Sequence, residues 1–412
     1  MKAHIELEEA SEIVGRAASE AWARRAAGAT EELALGDAVG RVLAGDVRAD
    51  RDQPPFDRAA MDGYALRAAD AAGERQRLAV VGEVAAGAAW EGELPAGAAV
   101  AIMTGAPVPP GADAVQMVER CRELGPAAVE IGGPVRAGQH IAPRGEDLRA
   151  GDVVARAGAR VEGLLAGALA SVGAARVPVV ARPTVAIVGT GDELVDISQS
   201  PGPAAIRDSN RYTLEALAHA AGARVVLVER VADDPAALAA AVARGLRADV
   251  LVLSGGVSAG RYDLVVGALA EAGVSLAFHK VAIKPGKPMV FGTHPGGLVF
   301  GLPGNPVSTF VTGVLLLAPA LRALGGQGAA WPRALQARLL APIEATTERT
   351  TFHPGRLEVA ADGALAVTPV GWNGSGDQSG FARGDCFIRR EARSERVEPG
   401  ERVSAIVWRW PW

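Results

Sequence analysis

Lys280, Lys284 and Lys287 stand within the eight residues KVAIKPGK, and the chain's only other lysine is Lys2, against 38 arginines. In a sequence that otherwise writes its cations as arginine, a lysine marks a place that needs a compact, rotatable ammonium in place of a planar fork. Pro285 and Pro288 stiffen the turn that carries them. Ammonium groups held on a rigid turn suit a tetrahedral oxyanion or a phosphate.

Glycine-rich turns supply the second half of that chemistry. They are Gly189-Thr-Gly-Asp-Glu-Leu194, Ser254-Gly-Gly-Val-Ser-Ala-Gly260 and Leu302-Pro-Gly-Asn-Pro-Val-Ser308, each after an apolar run that reads as a strand. Backbone N–H groups in such turns, feeding helix N-termini, hold anions at the carboxyl ends of parallel strands. None matches the P-loop pattern. The first contains GxG, but the third glycine and the acid of a dinucleotide fingerprint are not where that fold needs them.

Acids lie beside these cradles: Asp192, Glu193, Asp208, Asp233, Asp234 and Asp263. A carboxylate next to a phosphate site is costly unless a hard cation such as Mg2+ bridges them. Asp208, before Ser209-Asn210, and Asp234, before Pro235, also read as helix caps. Further candidates are Asp57, Asp62 and Tyr64 in Gln53–Ala65, the Glu146-Asp147 turn, and the hydroxyl-bearing loop Gly374-Ser-Gly376 with Ser379. No serine has a paired histidine, and Cys121 and Cys386 sit in no reactive motif. Nucleophilic catalysis is not supported.

The elements that must position these residues follow from periodicity. Residues 1–45 read as helical, and residues 46–146 as a β-rich stretch of short apolar runs between turn clusters. A helical pattern returns at 151–181. From Pro183, short aliphatic runs at Thr184–Val188, Arg224–Val228, Val250–Leu253 and Leu298–Phe300 alternate with helical stretches, which predicts a parallel sheet with right-handed crossovers. Strand-like runs resume from about residue 329. The expected fold is a multidomain α/β protein. It has a helical, extended linker domain (1–45 with 147–181), an inserted β-rich domain (46–146), a central parallel-sheet domain (182–328) and a small C-terminal β domain (329–412).

Composition narrows the function. A net charge of −5 gives no basic field for a nucleic acid or an anionic membrane. The six histidines never fall at HxxxH spacing, and two cysteines make no disulfide framework. The first thirty residues carry acids throughout, unlike a secretory signal. Residues 288–321 lack any charged side chain but are broken by prolines and glycines, which predicts buried strand, loop and helix and no membrane span. A cytoplasmic location is expected.

PPFDRAAMDGYA (54–65), TGDEL (190–194), DSNRYTL (208–214), SGGVSAGRYD (254–263), KVAIKPGKP (280–288) and GLPGNPVS (301–308) together resemble the molybdopterin molybdenumtransferase (MoeA) family, which is related to the gephyrin E domain. The resemblance implies four-domain protomers in an elongated homodimer, with each active cleft shared between subunits. It implies a reaction of adenylylated molybdopterin and molybdate, with Mg2+, that yields molybdenum cofactor and AMP.

Carried over by motif, Asp62 would reach the cleft from the partner subunit. Glu193 and Asp263 would bind the cation or act on the phosphoanhydride, with Asp233 and Asp147 as further acids. Lys284 and Lys287, with Lys280 in the same turn, would bind molybdate or phosphate. Ser254, Gly255, Gly256, Pro303, Gly304 and Asn305 would line the pterin-phosphate site, with Ser379 near it in the terminal loop. Two positions depart from the family pattern: Arg261 where an acid is usual, and Gly380 where a second serine is usual. The resemblance leaves a molybdopterin adenylyltransferase, which could hand on the substrate as a partner, and a non-catalytic dimeric scaffold as alternatives. It does not separate molybdate from tungstate.

Overall fold

A computed structural model describes residues 2–26, 29–256, 264–328 and 331–409. Contacts divide the chain into two units. One comprises Met1–Glu32, Gly40–Ala44 and Pro178–Trp412, and the other Leu33–Val39 and Gly45–Val177.

The first unit is organised on a seven-stranded sheet in the order Lys2–Ile5, Ser275–Val281, Val290–His294, Gly297–Leu302, Val250–Ser254, Thr184–Thr190, Arg224–Val231. Neighbours pair in parallel except on the two sides of Val290–His294, which runs against the rest. Alternate residues along the central strands feed two cores, as the two-residue period of a strand requires. Val185, Ile187, Val250 and Val252 pack with the helices Leu7–Ala26, Asn210–Ala220 and Pro306–Leu324 on one face. Ala186, Val188, Leu251 and Leu253 pack with Pro235–Gly245 and Leu264–Glu271 on the other. With both faces covered, these strands are apolar runs without alternation.

Two features differ from the expectation. Residues 1–45 are not uniformly helical: Lys2–Ile5 and Thr30–Ala34 are strands around the helix Leu7–Ala26. Ile5 pairs with Val281 and is only 6% exposed, so a distant partner outweighs the local pattern. The sheet also contains the reversed strand Val290–His294, joined to Gly297–Leu302 through Pro295-Gly296. The Pro306–Leu324 helix is long and apolar enough to span a membrane, yet 89% of its most apolar window is buried in the core.

The same unit ends in a six-stranded sheet ordered Ile283–Lys284, Thr350–Val359, Leu365–Pro369, Ala334–Leu339, Arg402–Val407, Cys386–Arg390. Thr350–Val359 also pairs with Cys386–Arg390, which closes five of the strands into a barrel. Phe310 of the long helix meets Phe381, Phe387 and Trp408 edge-on, at ring separations of 5.5–6.2 Å.

In the second unit a six-stranded sheet runs Ala114–Met117, Gly63–Leu66, Ala98–Ile102, Arg75–Val84, Ala128–Gly132, Cys121–Glu123. It buries Tyr64, Leu66, Leu78, Val129 and Ile131 in one core and Ala65, Val84, Val100 and Val115 in another. Within 151–181 the helix is confined to Gly163–Ser171.

Candidate active site

Because all but one strand of the large sheet run the same way, the loops after Thr190, Val231, Ser254 and Leu302 leave from one edge. The reversed strand completes the set. Ser275–Val281 arrives at that edge, residues 282–289 cross it, and Val290–His294 carries the chain back. A parallel connection would have spent this segment on a crossover helix. The sequence therefore lands the lysine turn beside the glycine loops.

One side chain stitches two of those loops. Asn210, at the start of its helix, donates from Nδ2 to Ser254 Oγ (2.9 Å) and to Gly304 O (2.7 Å). Its Oδ1 is buried without a partner. Gly255 N donates to Leu302 O at 3.2 Å. Gly255 has φ +100°, and a Cβ there would lie 2.4 Å from Thr190 O, so only glycine fits. Asn305 stands at the N-cap of the long helix, with Pro306 as its first residue. Asn305 Nδ2 donates to Ser375 Oγ (2.9 Å), and Ser375 O accepts from Val307 N (3.0 Å). Gly304 and Asn305 are exposed at the positive end of that helix, a setting for a phosphate.

The acids divide by role. Asp234 caps Pro235–Gly245, accepting from Ala237 N at 2.8 Å, and buried Asp208 accepts from Arg211 N at 3.2 Å; both act as caps, as predicted. Asp233 Oδ1 accepts from Thr190 Oγ1 at 2.6 Å, and its N–H donates to Asp192 Oδ1 at 3.1 Å. Those bonds pin the loop after Val231 to the loop after Thr190. Glu193 is exposed, and its carboxylate folds back over Gly191, where a Cβ would meet Oε2 at 2.5 Å. Asp263 and Arg261 lie outside the described residues.

In the lysine turn, Lys280 N donates to Met289 O at 2.7 Å and Val281 N donates to Lys287 O at 3.1 Å. Lys280 itself has φ +73°, and the Lys284–Pro285 peptide is cis. Among the described residues no carboxylate pairs with Lys280, Lys284 or Lys287, whereas Lys2 is tied to Glu9. Three ammonium groups without a carboxylate partner among the described residues make an electropositive edge.

Ser379 lies on the short helix Gln378–Phe381, beside Thr213, Phe310 and Trp408 in an apolar groove of about 540 Å3. The serine that meets Asn305 is Ser375, which sequence reasoning left as part of an unspecific loop. Its only sequence signal is a hydroxyl between two glycines.

Asp62 and Asp147 belong to the second unit. Asp62 Oδ1 accepts from Thr104 N (2.6 Å) and Thr104 Oγ1 (2.7 Å). Those bonds, the backbone one foremost, hold its carboxyl below the usual range. Asp147 is exposed, 4.0 Å from Arg58, and its N–H donates to Gln53 O at 2.9 Å. Neither cysteine is activated: burial pushes the Cys121 thiol up to about 11 and raises that of Cys386 as well.

Among the described residues no three His, Cys, Asp or Glu side chains cluster as an all-protein metal cage. The donor set on the edge, hard carboxylates such as Glu193 beside a phosphate cradle, instead suits Mg2+. That ion is commonly held by one or two carboxylates together with water and substrate phosphates.

Family models cover most of the chain. Residues 5–173 match the MoeA N-terminal region (domain I and II), residues 186–323 the "Probable molybdopterin binding domain", and residues 336–408 the MoeA C-terminal region (domain IV). The chain is 35% identical over 378 residues to a molybdopterin molybdenumtransferase of Haemophilus influenzae, covering 91% of this chain and 93% of that protein. It is 34% identical over 399 residues to the one of Bacillus subtilis, covering 93% of each. Two solved structures of the molybdopterin biosynthesis MoeA protein from Pyrococcus horikoshii superpose with TM-scores of 0.81 and 0.80, at 32% and 29% identity. They cover 99% and 98% of this chain and all of theirs. A reversed strand that brings a lysine turn onto a glycine-loop edge, a C-terminal barrel and an all-length match to these proteins lead to one conclusion: the chain belongs to the MoeA family.

Proposed function

We propose that this chain, a transferase of molybdenum-cofactor biosynthesis, inserts molybdenum from molybdate into adenylylated molybdopterin, with Mg2+, and releases AMP. The observation that carries the reading is the meeting on one sheet edge of an unpaired lysine turn and glycine loops that feed a helix N-terminus.

Each group on that edge then has work to do. Backbone N–H groups around Ser254, Gly255, Gly256, Gly304 and Asn305 would hold the pterin phosphate, with Pro303 fixing the loop, and Ser379, from the short helix Gln378–Phe381, would add a hydroxyl to the substrate site. Lys280, Lys284 and Lys287 would gather the oxyanion charges of molybdate and of the phosphates. Glu193 and Asp263 would hold Mg2+, which supplies charge neutralisation at the phosphoanhydride. Asp233 would orient water for anhydride hydrolysis, which frees AMP as the metal is seated on the dithiolene, and Asp147, in the second unit, is a further acid that the resemblance carries over. With no activated nucleophile among the described residues, charge stabilisation would supply the rate. In the homodimer that the resemblance implies, Asp62 would enter the cleft from the other copy. A cytoplasmic enzyme that receives its pterin from the preceding adenylyltransferase fits this chemistry.

The test is a single-turnover incubation with adenylylated molybdopterin, Mg2+ and molybdate, following AMP and the reconstitution of an apo-molybdoenzyme. Molybdate-dependent AMP release with reconstitution is expected. Asp263→Asn should abolish both in a folded protein. No AMP release from folded protein with verified substrate, or indifference to that substitution as in a scaffold, would overturn the reading.

A further inference from the structure

Every carbonyl of the loop Leu302–Asn305 is held. Leu302 O accepts from Gly255 N at 3.2 Å, Gly304 O from Asn210 Nδ2 at 2.7 Å and Asn305 O from Thr309 N at 3.0 Å. The remaining one, Pro303 O, accepts from Thr309 Oγ1. Thr309 is fully buried in the second turn of the long helix. Its hydroxyl also lies 3.2 Å from Asn305 O, the local bond that a helical threonine commonly makes to the carbonyl four residues earlier. Pro303 O is closer, six residues back and outside the helix. That bond is a tie from helix to loop, which helical geometry alone does not explain.

Held carbonyls aim the amides. A trans peptide points its C=O and its N–H in opposite directions, and the peptides of this loop are trans. With Pro303 O drawn to Thr309 and Gly304 O drawn to Asn210, the N–H groups of Gly304 and Asn305 face away from those partners. Both residues are exposed, and among the described residues no acceptor takes either N–H. Pro303 and Pro306 have no N–H to add. The loop thus offers two amides, each aimed by one side chain: Asn305 N–H by Asn210, and Gly304 N–H by Thr309.

We propose that Thr309 is a positioning residue of the phosphate cradle: from beneath the loop, its hydroxyl orients the Pro303–Gly304 peptide so that Gly304 N–H meets a phosphate oxygen. The proposal rests on the reading that this loop holds the pterin phosphate. An amide that grips a phosphate remote from the reacting atoms acts alike on ground and transition states, so its misalignment raises KM and leaves kcat.

Three variants of the full-length protein separate hydroxyl from packing. Thr309→Val keeps the shape and loses the hydroxyl, Thr309→Ser keeps the hydroxyl and loses a methyl group, and Thr309→Ala loses both. Affinity for molybdopterin, titrated anaerobically, should fall about fivefold to tenfold in Thr309→Val and Thr309→Ala, the usual contribution of one hydrogen bond, and hold in Thr309→Ser. The rate of AMP release at saturating substrate should stay within about twofold in all three. Affinity that tracks size, falling in Thr309→Ser and kept in folded Thr309→Val, would overturn the positioning role and leave the transferase reading intact. Unchanged affinity in both Thr309→Val and Thr309→Ala would do the same. Failure of the unaltered, folded protein to bind molybdopterin would overturn both.

Discussion

Asn210 Nδ2 lies 2.9 Å from Ser254 Oγ and 2.7 Å from Gly304 O, so one amide fixes the spacing of the two loops on which a phosphate would rest. Asn210→Ala removes both bonds. At a net ~0.5–1.5 kcal/mol for each, stability should fall by about 1–3 kcal/mol, read as a lower midpoint of thermal unfolding. KM for the pterin substrate should rise as the loops lose register.

Two glycines of the same cradle should behave in opposite ways. In Gly255→Ala the Cβ would lie 2.4 Å from Thr190 O, so the variant should unfold at lower temperature or accumulate in inclusion bodies. At Gly304 a Cβ meets only Gly255 Cα, at 3.6 Å, so Gly304→Ala should keep its melting temperature. It should nevertheless weaken pterin-phosphate binding, because the methyl group projects from an exposed anion loop. Calorimetry beside a binding titration checks the pair.

Lys287→Ala leaves the turn's backbone bonds in place but removes an ammonium from the edge. If charge stabilisation sets the rate, single-turnover AMP release should slow by about 100-fold, as when one oxyanion donor is deleted. Lys287→Arg should recover little, since a planar fork does not replace a compact point charge.

Burial, with the charge of Arg390 as a lesser cause, holds His353 below its ordinary value of 6.5 despite the bond to Pro354 O. The unfolded chain therefore binds a proton near that value that the folded chain refuses. This contribution to stability is full above 6.5 and is lost as pH falls toward the depressed folded value. His353→Gln should flatten the slope of melting temperature against pH over that acidic window. An unchanged slope would show that the acid sensitivity arises elsewhere.

Thr104→Val removes the hydroxyl that donates to Asp62 but keeps the backbone N–H. Since the backbone bond is the larger cause of the lowered carboxyl, Asp62 should titrate only part of the way back toward its ordinary range. Carboxyl carbon chemical shifts followed against pH would report it.

The sequence made the working loops legible because lysine is nearly absent elsewhere and glycines cluster directly after the apolar runs. Parallel strands ending in Thr190, Ser254 and Leu302 could be read from apolar runs, and the caps at Asp208 and Asp234 from their neighbours. Lys2–Ile5 could not, since four residues carry no period and their partner strand, Ser275–Val281, lies far away in the sequence. Nor could the direction of Val290–His294, because an apolar run looks the same in either sense. Ser375 matters through its contacts with Asn305 and Val307, which only the fold creates, and a hydroxyl between two glycines carries no local mark.

The two-residue strand Ile283–Lys284 belongs to the barrel sheet, while Val281 just before it belongs to the large sheet. That junction tolerates substitution far better than it tolerates insertion or deletion. One added residue at Ala282 would shift the strand by half its side-chain period, turning buried Ile283 out to water and the Lys284 ammonium into the core. Length variation among relatives should therefore collect in the outer loops and leave residues 281–289 at constant length.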